Sequence, residues 1–170
     1  MIFRSWDVFY EHAPREIAEV ISVLAEDPKP IADELRTCTQ TLIHGDLRLG
    51  NAGFEDDRLV LLDWGDRTGI APPAVELAWF IGFDAHRLQI TADDVVAEFR
   101  ALYADRFEER ALHLSLIGGL VHLGAHLGLK IFSADDDTTR AAAKAELSWW
   151  TRNVERALET WSPGNGRPHI

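Results

Sequence analysis

The stretch HGDLRLGNAGFEDDRLVLLDWGD, residues 44–66, decides how the rest of the chain is interpreted. A brief β-prone run, Thr41–Ile43, leads into it. Within it, Phe54 and the apolar run 59–62 flank the polar letters EDDR. Two β-prone runs on either side of a short polar turn predict a β-hairpin. We therefore expect a polar loop and an acidic loop to be joined by one hairpin.

Helices are predicted on both sides of this hairpin. The segment 14–26 has apolar residues at i, i+3, i+4 and i+7, and Pro72 and Pro73 precede the apolar run AVELAWFIGF. Thr91 and Asp94 have the spacing of a capping box, and an acidic run at 135–137 would begin a last helix. We expect an α+β fold that is predominantly α-helical, with a short β-hairpin that carries both loops.

The domain organisation is predicted to be simple. With 170 residues and no repeat or clear linker, we expect one domain over 1–162. It would comprise a helical lead-in (1–40), the two loops (41–66) and a helical bundle (73–162), followed by a flexible tail (163–170).

Charge and composition exclude several classes of partner. The net charge is -11 and the pI about 5.0, which disfavours binding to nucleic acid or to anionic membranes. The single cysteine, Cys38, and an N-terminus without a secretory pattern favour the cytoplasm. Residues 111–129 carry no acidic or basic side chain apart from histidine, so a transmembrane helix is one interpretation. We prefer a buried central helix, and we expect no membrane association.

The two loops contain the residue types that phosphoryl transfer requires. A carboxylate must orient the acceptor hydroxyl, and oxygen ligands must hold magnesium on the nucleotide phosphates. Asp46 is the candidate base, and Asn51 and Asp63 are the candidate Mg2+ ligands, which also bind the nucleotide. Arg48 is a candidate catalytic cation for the transferred phosphate, with a structural ion pair as the alternative. We expect His44 to brace the loop.

HGDLRLGN, LVLLDWGD and PPAVELAWF, in this order, resemble the aminoglycoside phosphotransferase and choline kinase-like family, small-molecule kinases with a protein-kinase-like fold. The resemblance covers about positions 41–83 and concerns the C-terminal lobe only. It implies ATP and Mg2+ as cofactors, a small-molecule hydroxyl as the acceptor, Asp46 as the catalytic aspartate, and Asn51 and Asp63 as metal ligands. Glu76 resembles a structural aspartate of the family. Asp66 is either a support for the site or a turn cap.

Candidate substrate-binding residues are weaker. His122 and His126 lie at i, i+4 and would face the same way on a helix, but core or pocket histidines are the commoner explanation. Asp135 and Asp136 would suit a cationic substrate, as acidic positions in the family's C-terminal helices do, or would simply begin a helix.

The upper half of a kinase nucleotide site is not visible in this sequence. The residues before His44 contain one lysine, Lys29, and no glycine-rich loop, so we expect the N-terminal β lobe to be absent. Independent activity is doubtful on this basis. The chain is then either a separated lobe, with a second copy or another protein supplying the missing lobe, or a stand-alone lobe that retains weak nucleotide binding. The alternative function is a catalytically silent binding or regulatory module derived from such a kinase.

Overall fold

A computed structural model describes residues 2–161 of the chain. Most of them are helical, with two small sheets, which confirms the predicted mainly helical α+β class. The elements in chain order are α1 (Ile2–His12), α2 (Arg15–Glu26), α3 (Lys29–Leu35), β1 (Thr41–Ile43), β2 (Ala52–Glu55), β3 (Arg58–Leu61), β4 (Gly69–Ala71), α4 (Pro73–Phe83), α5 (Ala92–Tyr103), α6 (Glu109–Phe132) and α7 (Asp137–Thr160).

The chain divides into two compact units. The loop unit is Leu35–Ser115, and the helical unit contains the described residues before and after it. The expected single domain over 1–162 stays a prediction. Its last residue and the predicted tail, 163–170, lie outside the described residues.

The loop unit contains two antiparallel pairs of strands. β2 and β3 form the predicted hairpin, in which Ala52 pairs with Leu61 and Glu55 with Arg58. β1 pairs with β4, so that Ile43 lies opposite Gly69. β4 was not predicted, because a three-residue strand that begins with glycine has little β-propensity of its own. Its partner strand, distant in sequence, makes it a strand, and this pairing brings the two ends of the 44–66 stretch together.

The helical unit is built on close packing between α1 and α6. A Cβ added at Gly128 would lie 1.9 Å from the backbone oxygen of Ser5, and one at Gly124 would lie 2.5 Å from the ring of Trp6. The two glycines therefore let α1 approach the α6 backbone closely. Among the described residues, α6 is the one helix that is both long enough and apolar enough to span a membrane. In its most apolar stretch, 56% is buried, as in the central helix of a helical domain. The absence of membrane association stays a prediction.

The predicted helix starts are largely confirmed. The Thr91 hydroxyl accepts a hydrogen bond from the Asp94 N–H, and the Asp94 carboxylate accepts one from the Thr91 N–H, which is the capping box at α5. α7 begins after Asp136, whose carboxylate accepts from the Thr139 N–H at 2.8 Å. Hydrogen bonds from Thr139 are the main cause that lowers the pKa of Asp136.

Candidate active site

The polar loop between β1 and β2 begins with a glycine that no other residue can replace without strain. Gly45 has φ +79°, and a Cβ at this position would lie 2.0 Å from the carbonyl oxygen of Arg67. Only glycine adopts this conformation without a steric penalty and leaves room for the second backbone. The first loop therefore turns directly against the segment that follows Asp63.

A single carboxylate on α4 holds the backbone of this loop. Glu76, in the first turn of α4, accepts hydrogen bonds from the N–H groups of His44, of Gly45 at 3.0 Å and of Leu47 at 3.3 Å. A charged acceptor strengthens each of these bonds, and its place near the helix N-terminus is also favourable. The structure thus places Glu76 where a structural support would lie.

His44 links the first loop to the second. Its side chain is buried, and Nε2 lies 2.7 Å from the carbonyl oxygen of Leu62, whereas Nδ1 lies 3.3 Å from the N–H of Asp46. Because a carbonyl accepts and an N–H donates, Nε2 donates to Leu62 and Nδ1 accepts from Asp46. The N–H of Leu62 in turn donates to the carbonyl of Asn51 at 2.8 Å. Both the carbonyl and the N–H of Leu62 are therefore hydrogen-bonded, directly before Asp63.

Asp46 and Asn51 lie together, as the sequence analysis expected. The Nδ2 of Asn51 donates to the backbone oxygen of Asp46 at 2.9 Å and to its Oδ2 at 3.3 Å. The other carboxylate oxygen, Oδ1, accepts from the indole Nε1 of Trp79 at 3.0 Å. Trp79 was missed, although it lies three residues after Glu76 and therefore on the same face of α4.

Asp63 has an unusual backbone conformation in the second loop. Its φ is +61°, in the left-handed region, and its side chain is exposed. Left-handed non-glycine residues concentrate at functional sites because the conformation costs energy that surrounding contacts must offset. Those contacts are the Leu62 bonds before it and, after it, the Trp64 ring, which packs 4.7 Å from the His44 ring. Asp66 lies exposed in the next turn, where both of its predicted roles remain open.

Arg48 forms an ion pair with a carboxylate that the sequence analysis did not identify. Its Nε lies 3.7 Å from Oδ2 of Asp84, and its guanidinium lies over the Phe83 ring at 4.9 Å. Asp84, the residue after α4, is buried and accepts from the Leu49 N–H at 2.8 Å. Burial alone raises the pKa of Asp84, but the bonds from Leu49 and Arg87 and the two arginine charges together lower it. The carboxylate is thus held as an anion beneath the loop.

A sequence model described as the phosphotransferase enzyme family matches residues 4–115, well over half of the chain. The chain belongs to this family. The resemblance to the aminoglycoside phosphotransferase and choline kinase-like enzymes is thereby confirmed, whereas its restriction to a C-terminal lobe stays a prediction. No curated protein and no solved structure matches the chain.

The phosphotransferase family match includes both loops and α4. It ends before the four weaker substrate candidates, which all belong to the helical unit. His122 is exposed and His126 is half-buried on α6, while Asp135 and Asp136 are exposed before α7. Asp136 caps α7 through Thr139, which is the simpler of its two predicted roles. Substrate binding by these four residues stays a prediction.

A magnesium ion of the family's chemistry would depend on few protein ligands. No group of three or more His, Cys, Asp and Glu side chains suited to a metal occurs among residues 4–161, the part described with side chains. Mg2+ on a nucleotide needs only one or two protein oxygens, because phosphates and water supply the rest. Asn51 uses Nδ2 for its bonds to Asp46, so Oδ1 is the oxygen suited to a cation, and Asp63 offers an exposed carboxylate. Both side chains have the oxygen chemistry that the ion takes, and their role as its ligands stays a prediction.

Proposed function

We propose that this phosphotransferase is a small-molecule kinase that moves the γ-phosphate of ATP to a hydroxyl group. The observation that carries the proposal is one hydrogen-bonded network that holds Asp46, Asn51 and the residue before Asp63. Asn51 holds Asp46 through its amide, and its carbonyl holds Leu62, the neighbour of Asp63. A base and two oxygen ligands held in one network are what in-line phosphoryl transfer needs.

Each of the three residues has a separate task in the proposed reaction. Asp46 orients the acceptor hydroxyl and takes its proton as the new O–P bond forms. The bond between the γ-phosphorus and the bridging oxygen breaks, and ADP leaves with the bonding electrons. Mg2+, when bound, neutralises charge on the phosphates. Asn51 and Asp63 would hold it through their side-chain oxygens.

Arg48 is the proposed cation for the transferred phosphate. Its side chain is 42% exposed although it is paired with Asp84. A guanidinium held on one side by a buried carboxylate and by Phe83 loses little further freedom when an anion binds to its other donors. The ion pair and the phosphate contact are therefore compatible roles in this proposal.

The proposed substrate is a small molecule with a hydroxyl group. The net charge of -11 on the chain favours a cationic substrate over an anionic one. We propose a cytoplasmic location. We also propose that this chain binds Mg2+-ATP through its two loops and that a second copy or another protein completes the nucleotide site around it. In support, the structure describes only helices within residues 2–35, and Lys29 is already paired with Asp33.

A second candidate is a catalytically silent binding or regulatory module. It is favoured by the observation that Glu76 and Asp84 bind the loop backbone, so that the loop also stabilises the loop unit. A protein without catalysis would keep such a loop for its fold. The two candidates differ in whether the loop binds magnesium and nucleotide.

Thermal unfolding with and without Mg2+-ATP tests the proposal. A ligand that binds only the folded state raises the unfolding temperature, and above its Kd the stabilisation grows with the logarithm of the free ligand concentration. We expect a rise that requires Mg2+, that Asp63→Asn abolishes, and that the matched variant Asp57→Asn in the hairpin turn leaves intact. Phosphate transfer to a panel of small hydroxyl compounds then separates the candidates. No rise at millimolar nucleotide, in the chain alone, would overturn nucleotide binding by this chain.

A further inference from the structure

We infer that Trp79 is a positioning residue for the catalytic carboxylate, an inference that rests on the proposed function. Its indole Nε1 donates to Oδ1 of Asp46 at 3.0 Å. It lies one helical turn after Glu76, whose carboxylate binds the backbone N–H groups on both sides of Asp46. α4 therefore fixes the loop backbone with one side chain and the reactive side chain with another.

The hydrogen bond from Trp79 selects which oxygen of Asp46 is available. Oδ1 is bound by an indole, which has a donor and no acceptor, so this contact cannot reverse. Among the described residues, Oδ2 has only the longer 3.3 Å contact with Asn51. Oδ2 is thus the oxygen that meets the acceptor hydroxyl, and Trp79 prevents the carboxylate from rotating about its Cβ–Cγ bond.

Arg67 strengthens this arrangement from one face of the indole ring. Its guanidinium lies 5.0 Å from the centre of the Trp79 ring, and its backbone carbonyl contacts Gly45 in the first loop. A cation over the ring withdraws electron density from it, which makes the N–H a better donor toward a carboxylate. Arg67 thereby acts on Asp46 through Trp79.

The first arm of the test is spectroscopic and does not depend on turnover. In a proton–nitrogen correlation spectrum the Trp79 indole signal is identified by its loss in Trp79→Phe. We expect Asp46→Asn to move this signal upfield, because a charged acceptor is replaced by a neutral one, and Asp57→Asn to leave it in place. An indole signal that responds equally to both substitutions would overturn the inference. This arm keeps Trp79 itself, so it does not depend on the fold of the Phe variant.

The second arm is kinetic. Trp79→Phe keeps a ring beneath Arg67 but removes the donor, so we expect about a tenfold lower kcat with an unchanged KM for Mg2+-ATP. Trp149→Phe, the same change in the helical unit, serves as the control. A raised KM with an unchanged kcat would contradict a positioning role. Failure of the proposed function has a separate readout: the unsubstituted protein would show neither stabilisation by Mg2+-ATP nor phosphate transfer. That result would remove the reaction on which this inference rests.

Discussion

The carbonyl oxygen of Arg67 lies 2.0 Å from the place that a Cβ of residue 45 would occupy. This relationship joins the segment after Asp63 to the loop of Asp46 by backbone contact alone. Any side chain at position 45 would have to separate the two segments.

Gly45→Ala should therefore destabilise the protein by about 3 kcal/mol, since it adds the strain of a left-handed alanine to an overlap with backbone atoms. Urea unfolding measures the change. The matched variant is Gly50→Ala in the same loop, where a Cβ would meet no atom within 4 Å. Equal stability of the two variants would show that the loops do not meet in this way.

The left-handed conformation of Asp63 predicts that two variants that both lose binding will differ in stability. Asp63→Gly should be about 1 kcal/mol more stable than Asp63→Ala, because glycine adopts positive φ freely. Both variants should lose the Mg2+-dependent response to ATP. Denaturant unfolding in the absence of ligand gives the first comparison. An alanine variant as stable as the glycine variant would argue against the conformation at this residue.

Asp84 should make stability depend on pH in acid. Its pKa is lowered in the folded state from an ordinary value of 3.8, so its contribution is fully present above about that pH and is lost as the pH falls through the lower folded value. We expect Asp84→Asn to reduce stability at pH 7 by about 2 kcal/mol, since it weakens charge-assisted bonds, and to flatten the loss below pH 4. Urea unfolding from pH 2.5 to 7 measures both effects. An acid limb identical to that of the unsubstituted protein would contradict this role.

Replacing one carboxylate oxygen of Glu76 by an amide nitrogen should lower the stability of the protein. Glu76→Gln leaves one acceptor oxygen for N–H groups that now share two, and its new amide N–H group faces other donors. We expect about 2 kcal/mol lower stability and faster hydrogen exchange at Gly45 and Leu47. Glu55→Gln, in the exposed hairpin, is the control and should change little. Unchanged exchange at those two amides would be inconsistent with the bonding described.

The local signals in the sequence were sufficient for the hairpin, the capping box of α5 and the grouping of Asp46 with Asn51. Turn residues, caps and short spacings act over a few residues, so pattern alone predicts them. β4, Trp79 and Asp84 were missed because each acquires its role from a partner distant in sequence. Trp79 lies within the apolar helix α4 and Asp84 directly follows it, so composition alone marks neither of them as a residue that contacts the loop.

The central claim is that Asp46 serves the chemistry and Asp63 serves the metal. Calorimetric titration with Mg2+-ATP tests it most directly. The titration is carried out on the unsubstituted protein, on the Asp46→Asn variant and on the Asp63→Asn variant, and phosphate transfer is assayed on the same samples. We expect the Asp46→Asn protein to bind Mg2+-ATP about as well as the unsubstituted protein while transferring no phosphate, and Asp63→Asn to lose Mg2+-dependent binding. Unchanged binding by Asp63→Asn, or no binding by any of the three proteins, would contradict the account.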